Sequence, residues 1–440
     1  MSRLARIVGC SLLSLTSLLG AVCTADSSAP GDSTWYQGST HSHSFWSDGD
    51  DFPEMVADWY KQHGYRFLAL SDHNVLMQGQ KWRDVYDKDR PIPESTIEKC
   101  RRRFGPAWVE TRGDGKKLQV RLKTLAEIRA KLEEPGKFLL VENEEITGKS
   151  GDYEVHLNAI NLAELVPHQP AATVLETLRV NLRSVGRQAA RLARPVVAVV
   201  NHPSWPYYHI TAEDLAEATD ARLFEVCNAS PDSNRLGDAG HPSTDRIWDI
   251  ANTLRIAQGK RPPLHGIATD DAHEYQQFGP KRANPGRGFL MVHANRLAPE
   301  AIAEAMLRGD FYASTGVILN ELAYDPAKGT LTVAVDAQPG ANCTIDFLGT
   351  EAGYDRTTER VTVPDKDGKP QRPVTRYSKD VGKLLATVRG TRATYRLTGK
   401  ELYVRAAIRS DQRMANPPEG EGQCQEAWCQ PVGWEKWVGK

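Results

Sequence analysis

The sequence predicts an α/β protein: a barrel of seven or eight strand–helix units followed by a smaller all-β domain. Three observations predict it. Short runs rich in Val, Ile, Leu and Phe alternate with amphipathic helical stretches from residue 34 to about residue 320. Polar side chains able to bind metals recur just after those runs. Beyond residue 320 helical periodicity gives way to short alternating segments separated by Gly, Pro, Asp and Lys. Alternating strands and helices imply parallel β/α units, and their number favours a barrel over a sandwich.

Before the first unit, Arg3 and Arg6 precede an apolar and small-residue run over 7–23, and Cys23-Thr24-Ala25 places small residues at a cleavage position. This predicts a cleaved secretory signal over 1–25, hence a secreted or periplasmic protein. An uncleaved anchor is the alternative, and Val22 argues against lipid attachment at Cys23. The run is short for a membrane span and no other stretch is long and apolar enough, so no stable membrane insertion is expected after cleavage. Residues 26–33 read as a linker.

Within 34–320, runs 67–70, 138–141, 155–160, 196–200, 223–226, 266–268 and 289–292 predict strands, and 53–63, 125–133, 174–193, 245–257 and 299–307 predict helices. Residues 78–123 are polar and read as an insertion, with 118–122 as one strand of a hairpin turning at Gly113-Asp114-Gly115. In 321–440 the runs 331–335, 343–347, 360–363, 394–397 and 402–408 predict a β-sandwich-like domain, whose last 30 residues cover an edge.

Composition narrows the function. Lys+Arg at 55 against Asp+Glu at 56 carries no basic excess, so no nucleic-acid partner is expected. Cys100, Cys227, Cys343, Cys424 and Cys429 lie outside the signal. Export permits disulfides, Cys424 and Cys429 are close enough in sequence to staple the tail, and the odd count leaves a thiol unpaired.

The chemistry lies at the ends of the apolar runs. His41 and His43 follow the first; Asp72-His73, Glu144-Glu145, Asn201-His202 and Asp270-Asp271-Ala272-His273 follow later ones, and His156 lies within 155–160. Carboxyl ends of parallel barrel strands converge on one mouth. Residues two apart on an extended strand share a face, so His41 with His43, and Asp271 with His273, can grip common ions. Imidazole and carboxylate without thiolate suits zinc, manganese or iron. No Gly-x-Ser-x-Gly or P-loop competes.

These motifs resemble, in order, those of the PHP (polymerase and histidinol phosphatase) superfamily. His41-Ser42-His43 with Ser47-Asp48-Gly49 is similar to its first motif and Ser71-Asp72-His73 to its second. Glu144-Glu145-Ile146-Thr147 is similar to its third, with Asn143 where Gly is common. Asn201-His202-Pro203 and Asp270-Asp271-Ala272-His273 resemble its last two. The resemblance covers roughly 35–320 and implies a distorted (β/α)7 barrel holding two or three divalent ions. It implies that His41, His43, Glu145 and Asp271 hold the first ion. Glu145 then bridges to a second completed by His156 and His202, and Asp48, His73 and His273 hold a third. It also implies that Asp48, His73 and Asp271 take part in the chemistry, Asp48 or a metal-free histidine protonating the leaving group. Phe224-Glu225-Val226-Cys227-Asn228 resembles a further stretch of the family, which implies that Glu225 supports the ligands from behind. Residues 308–316 and 403–428 resemble a subgroup with a C-terminal β domain that includes a carbaryl hydrolase.

The expected activity is hydrolysis of a small-molecule phosphate ester by a metal-activated water. Cleavage of a carboxylic or carbamate ester is the second reading, and a binding protein with an inert barrel the third. Blander readings stand beside these. His63, His168, His209, His241, His265 and His293 read as structural. Asp48-Gly49-Asp50-Asp51 also reads as a turn before a helix, and Arg101-Arg102-Arg103 as a solvated face. Trp205, Tyr207 and Tyr208 either line a pocket or cap the barrel.

Overall fold

The computed structural model describes residues 33–364, 371–420 and 422–439. The expected signal, 1–25, and all of the expected linker except Ser33 lie outside the described residues. Among those described, no helix is long and apolar enough to cross a membrane.

Strand β1 (Thr34–Ser39) leads into α1 (Pro53–Gln62), which opens on Pro53, where a missing N–H costs nothing, and buries Val56, Ala57 and Tyr60. β2 (Phe67–Leu68) pairs parallel with β1, Gly38 opposite Phe67. A Cβ on Gly38 would lie 2.1 Å from the Phe67 ring, so only glycine allows this approach. The 78–123 segment forms β3 (Lys81–Asp84), α2 (Glu94–Phe104), β4 (Thr111–Arg112) and β5 (Gln119–Leu122), the strands building a small antiparallel sheet. α3 (Leu125–Leu132) starts at a capping box between Thr124 and Glu127.

β6 (Leu139–Leu140) continues the first sheet beside β2. β7 (Asn143–Ser150) and β8 (Tyr153–Ile160) form an antiparallel hairpin, and β8 is also antiparallel to β9 (Val197–Val200), which follows α4 (Val174–Leu192). The expectation of a parallel unit at 155–160 is therefore corrected. Ser150 pairs with Tyr153 across a tight turn at Gly151, too short for the crossover that parallel strands require. After α5 (Ala212–Glu217), β10 (Leu223–Asn228), α6 (Thr244–Ala257) and β11 (His265–Thr269) restore the parallel alternation. β12 (Phe289–Ala294), α7 (Pro299–Arg308) and β13 (Phe311–Ser314) follow, with β12 antiparallel to both β1 and β13.

These strands form two runs, β12-β1-β2-β6 and β7-β8-β9-β10-β11. Two parallel bridges tie them together beyond the strand ends, Ser42 to Ala272 and His73 to Glu145. All four bridging residues belong to, or lie beside, the predicted metal motifs. Ile146, Leu157, Val199, Phe224, Ile267 and Leu290 share one hydrophobic core, each at most 1% exposed.

The remainder is β14 (Leu319–Asp325), β15 (Thr330–Val335), β16 (Cys343–Glu351), β17 (Thr358–Val361), β18 (Val374–Tyr377), β19 (Lys383–Arg389), β20 (Arg392–Arg396), β21 (Glu401–Arg413) and β22 (Cys424–Cys429). The β14-β15-β20 sheet shares a core with β16 and β21 through Leu331, Val333, Ile345, Phe347, Val404 and Ile408. The tail does more than cover an edge. β22 is inserted between β21 and β13, so one sheet runs from β19 through to β6. Its buried end, Ala427-Trp428-Cys429, supplies the apolar side chains that make an internal position favourable.

The disulfide staple is also corrected. Cys424 and Cys429 stand at the two ends of β22 and are free, as are Cys100, Cys227 and Cys343. An extended strand rises about 3.3 Å per residue and alternates faces, which puts these two sulfurs far beyond bonding reach.

Candidate metal centre

Beyond β1 the chain stays extended, and His41 and His43 project the same way with the Ser42–Ala272 bridge between them. Asp72 then folds the next loop back. Its carboxylate accepts from the Ser44 amide at 2.9 Å, the Ser44 hydroxyl at 2.8 Å and the Ser47 hydroxyl at 2.6 Å. At Gly49 an added Cβ would sit 2.5 Å from the His43 carbonyl oxygen, so the tight return needs glycine. The return places Asp48 Oδ1 at 3.5 Å from His43 Nδ1. Asp48-Gly49 is thus both a turn and part of the cluster.

All nine residues expected to hold metal come together. His41, His43 and Asp271 form one group, with Asp271 Oδ1 at 3.1 Å from Nε2 of each histidine. His41, Glu145 and His202 form a second. His43, Asp48, His73 and His273 form a third, Asp48 meeting His73 at 3.3 Å and His273 at 3.4 Å. His156 joins through Glu145, its Nδ1 3.2 Å from Oε1, and packs edge-on against His202 at 5.1 Å between ring centroids.

Glu145 lies at the junction. Its Oε1 faces His156 at 3.2 Å, His202 at 3.3 Å and His41 at 3.5 Å; its Oε2 faces His73 at 2.8 Å and His43 at 3.5 Å. Glu144, one residue earlier on β7, points to the other side and accepts from the Val166 amide, as strand alternation requires. Two buried atoms in the cluster, His41 Nε2 and Glu145 Oε2, make no hydrogen bond. Such atoms are costly unless a further partner is present, and a nitrogen–oxygen donor set of this kind fits divalent cations.

Two residues of the cluster carry left-handed backbone. Asp271 has φ 49° and His202 φ 21°, left-handed values that cost a non-glycine residue energy and that the fold maintains at both positions.

A second layer orients the ligands. His41 Nδ1 meets Glu225 Oε1 at 2.6 Å, which turns Nε2 toward the cluster. Glu225 also accepts from the His202 amide, Asn228 and Thr269. Asn201 donates to Glu145 Oε1 at 2.8 Å, Asn228 to Asp271 Oδ2 at 3.0 Å, and Thr147 Oγ1 lies 2.6 Å from His73 Nδ1. Glu154 Oε2 lies 3.3 Å from His156 Nε2. Thr147 belongs to the third motif without a role of its own there, and Glu154 was missed in the sequence, although each sits two residues from Glu145 or His156 on the same strand and therefore on its face. Trp205 packs against His156 and His202 at 5.4 and 5.0 Å between ring centroids, beside the cluster. Tyr208 instead stacks on His241.

Three of the histidines read as structural have local partners. His63 stacks on Trp59, His209 accepts from the Glu154 amide, and His241 pairs with Asp238. On α2, Arg101 pairs with Glu98, and Arg103 reaches Asp58 on α1.

The cluster's electrostatics follow from crowding. Burial opposes a charge on His41, but Asp271, Glu225 and Glu145 outweigh it and hold its pKa well above the ordinary value. Burial likewise opposes His73, yet Glu145 and Asp48 raise it to about 11. His43, buried between the His273 and His73 rings at 4.0 and 4.5 Å, is pushed down to about 3 by burial and then by those neighbours. Burial works against the charge of Glu145 and Asp271, but the surrounding imidazoles hold both carboxyls well below their usual range. Protons on His41 and His73 offset these carboxylates, so cations bound at the cluster would displace those protons.

No family model matches the chain and no curated protein matches it. Solved structures resemble it remotely. One is a two-domain protein from Bacteroides vulgatus containing a predicted PHP-like metal-dependent phosphoesterase, at 14% identity and TM-score 0.38 over 90% of this chain and 95% of that one. Another, from Bifidobacterium adolescentis and named as a metal-dependent phosphoesterase, is 12% identical with TM-score 0.28 over 54% of this chain and 87% of that one. Likenesses this distant carry no argument about activity.

Proposed function

We propose that this chain is a secreted metal-dependent hydrolase, a phosphoesterase of the PHP type on a distorted (β/α)7 barrel with a β-rich domain over 321–440. The observation that carries the proposal is Glu145: one buried carboxylate whose two oxygens face two separate sets of imidazoles. That is the arrangement of a carboxylate shared between neighbouring cations. Divalent cations bound there, zinc, manganese or iron, supply Lewis acidity toward the ester and an activated water.

The chain's own residues do the rest. His41, His43 and Asp271 fix one position, His202 and His156 another, and Asp48, His73 and His273 a third. Burial favours a proton on Asp48, but His273, His73 and His43 outweigh it and hold the carboxyl well below the usual range, which suits an ionised ligand at the third position. Glu225, Asn201 and Asn228 hold the ligands in place and limit reorganisation during reaction.

Elemental analysis of purified protein together with turnover of 4-nitrophenyl phosphate, repeated on His43→Ala, tests the reading. Two or more metals per chain and phosphoester turnover are expected, both reduced in the variant. Less than one metal per chain and no turnover on a broad ester panel overturns it. Trp205 beside His156 and His202 offers a flat apolar surface suited to an aromatic leaving group and favours a second reading, carbamate ester cleavage as in the carbaryl hydrolase subgroup. Turnover of naphthyl carbamates without phosphoester turnover selects that reading.

A further inference from the structure

Arg90 stands on the polar segment that interrupts the alternation, between β3 and α2. Its guanidinium Nη1 lies 4.0 Å from Asp48 Oδ2, and its side chain is 55% exposed. Among the described residues its guanidinium makes no hydrogen bond. An ion pair this long and this exposed adds little stability.

The backbone under Arg90 is nevertheless fastened with care. Asp87 Oδ1 accepts from the Arg90 amide at 2.8 Å and the Asp89 amide at 3.0 Å. Arg83 donates from Nη2 to the Arg90 carbonyl at 3.2 Å and from Nη1 to the Phe45 carbonyl at 3.0 Å. Lys81 donates to the Trp46 carbonyl. The insertion is thus riveted to the 44–48 loop that carries Asp48. The rivets leave a free guanidinium at the open side of the group formed by Asp48, His73 and His273, whose side chains are 23 to 26% exposed.

From this geometry we infer that Arg90 is a substrate-binding residue that selects dianionic phosphomonoesters. The inference rests on the phosphoesterase reading. A phosphate seated on the cluster turns its remaining oxygens toward solvent and toward Arg90. The planar fork of a guanidinium matches two of those oxygens at once. A terminal phosphate has a free charged oxygen to offer there; a diester has one fewer, and a carboxylic or carbamate ester has none. Arg83 acts as a positioning residue, setting where Arg90 starts.

The test is calorimetric titration of inorganic phosphate into metal-loaded wild type, Arg90→Ala and Arg90→Lys, with metal content measured in each. Kd is expected to rise about 10- to 100-fold in Arg90→Ala, the change that losing a charge-assisted hydrogen bond produces. Arg90→Lys should recover part of it, with metal content unchanged throughout. In turnover, KM for 4-nitrophenyl phosphate should rise more than KM for bis(4-nitrophenyl) phosphate. Equal phosphate affinity in wild type and Arg90→Ala, or no phosphate binding by wild type, overturns the assignment. Turnover of phosphoesters alongside equal affinity removes only Arg90. Phosphate binding that depends on Arg90, without turnover of any phosphoester, keeps Arg90 as an anion contact and removes the phosphoesterase reading.

Discussion

Glu225 Oε1 lies 2.6 Å from Nδ1 of His41, and both side chains are fully buried. The contact joins His41 to β10, 184 residues later. It fixes which imidazole nitrogen is left for metal, and it raises the basicity of that nitrogen.

Glu225→Gln keeps the shape and removes the charge. It should lower metal affinity about 10- to 100-fold, the usual effect of losing a carboxylate behind a ligating histidine. Competition against a chromophoric chelator measures this. Affinity within twofold of wild type would show that Glu225 does no more than fill space.

Asp48→Ala should separate the third group from the other two. Asp48 touches His43, His73 and His273 but not Glu145, so a variant retaining His41, Glu145, His202 and Asp271 should keep most of its bound metal. Glu145→Ala should strip the centre, because Glu145 faces five of the imidazoles. Elemental analysis of the two variants side by side decides the matter; equal losses contradict the division.

The metal-free protein should respond to alkali through His73. Its folded pKa is raised to about 11 from 6.5, so its stabilising contribution is fully present below about pH 6.5 and is lost as pH rises toward 11. Thermal melts of chelator-treated protein should therefore fall in Tm between pH 7 and pH 10 by more than those of His73→Gln. A pH slope unchanged by the substitution refutes this contribution.

Asp249→Ala should destabilise the joint between α6 and the long sheet. Asp249 binds Arg405 at 2.7 and 2.8 Å and the Tyr403 hydroxyl at 2.7 Å, and Arg405 is 1% exposed. Leaving that guanidinium buried without this partner costs about 3–5 kcal/mol. Urea unfolding measures it, and a loss under about 1 kcal/mol would mean that Asp245, 3.1 Å from Arg405, takes over.

Peptide mapping of denatured, unreduced protein should find Cys424 and Cys429 both alkylated. A Cys424–Cys429 crosslink in that map contradicts the strand between them.

The sequence by itself marked most of the candidate ligands just after apolar runs, because a polar metal-binding residue interrupts such a run and that interruption is visible in one dimension; Glu145 and His156 instead lie within β7 and β8. Residues two apart on one strand, His41 with His43, carried their pairing with them. The family resemblance already named Glu145, Asp48 and Glu225, but the physical reasons for them lie in the tertiary structure. Glu145 and not Glu144 is on the inward face of β7, Asp72 and Gly49 fold the Asp48 loop back, and Glu225 reaches His41 across 184 residues. The direction of β8 and the internal place of β22 depend on which neighbours those strands meet, and an apolar strand pattern looks the same in either direction. Arg90 was silent for the same reason: a lone arginine in a polar segment gains meaning only from what stands 4.0 Å away.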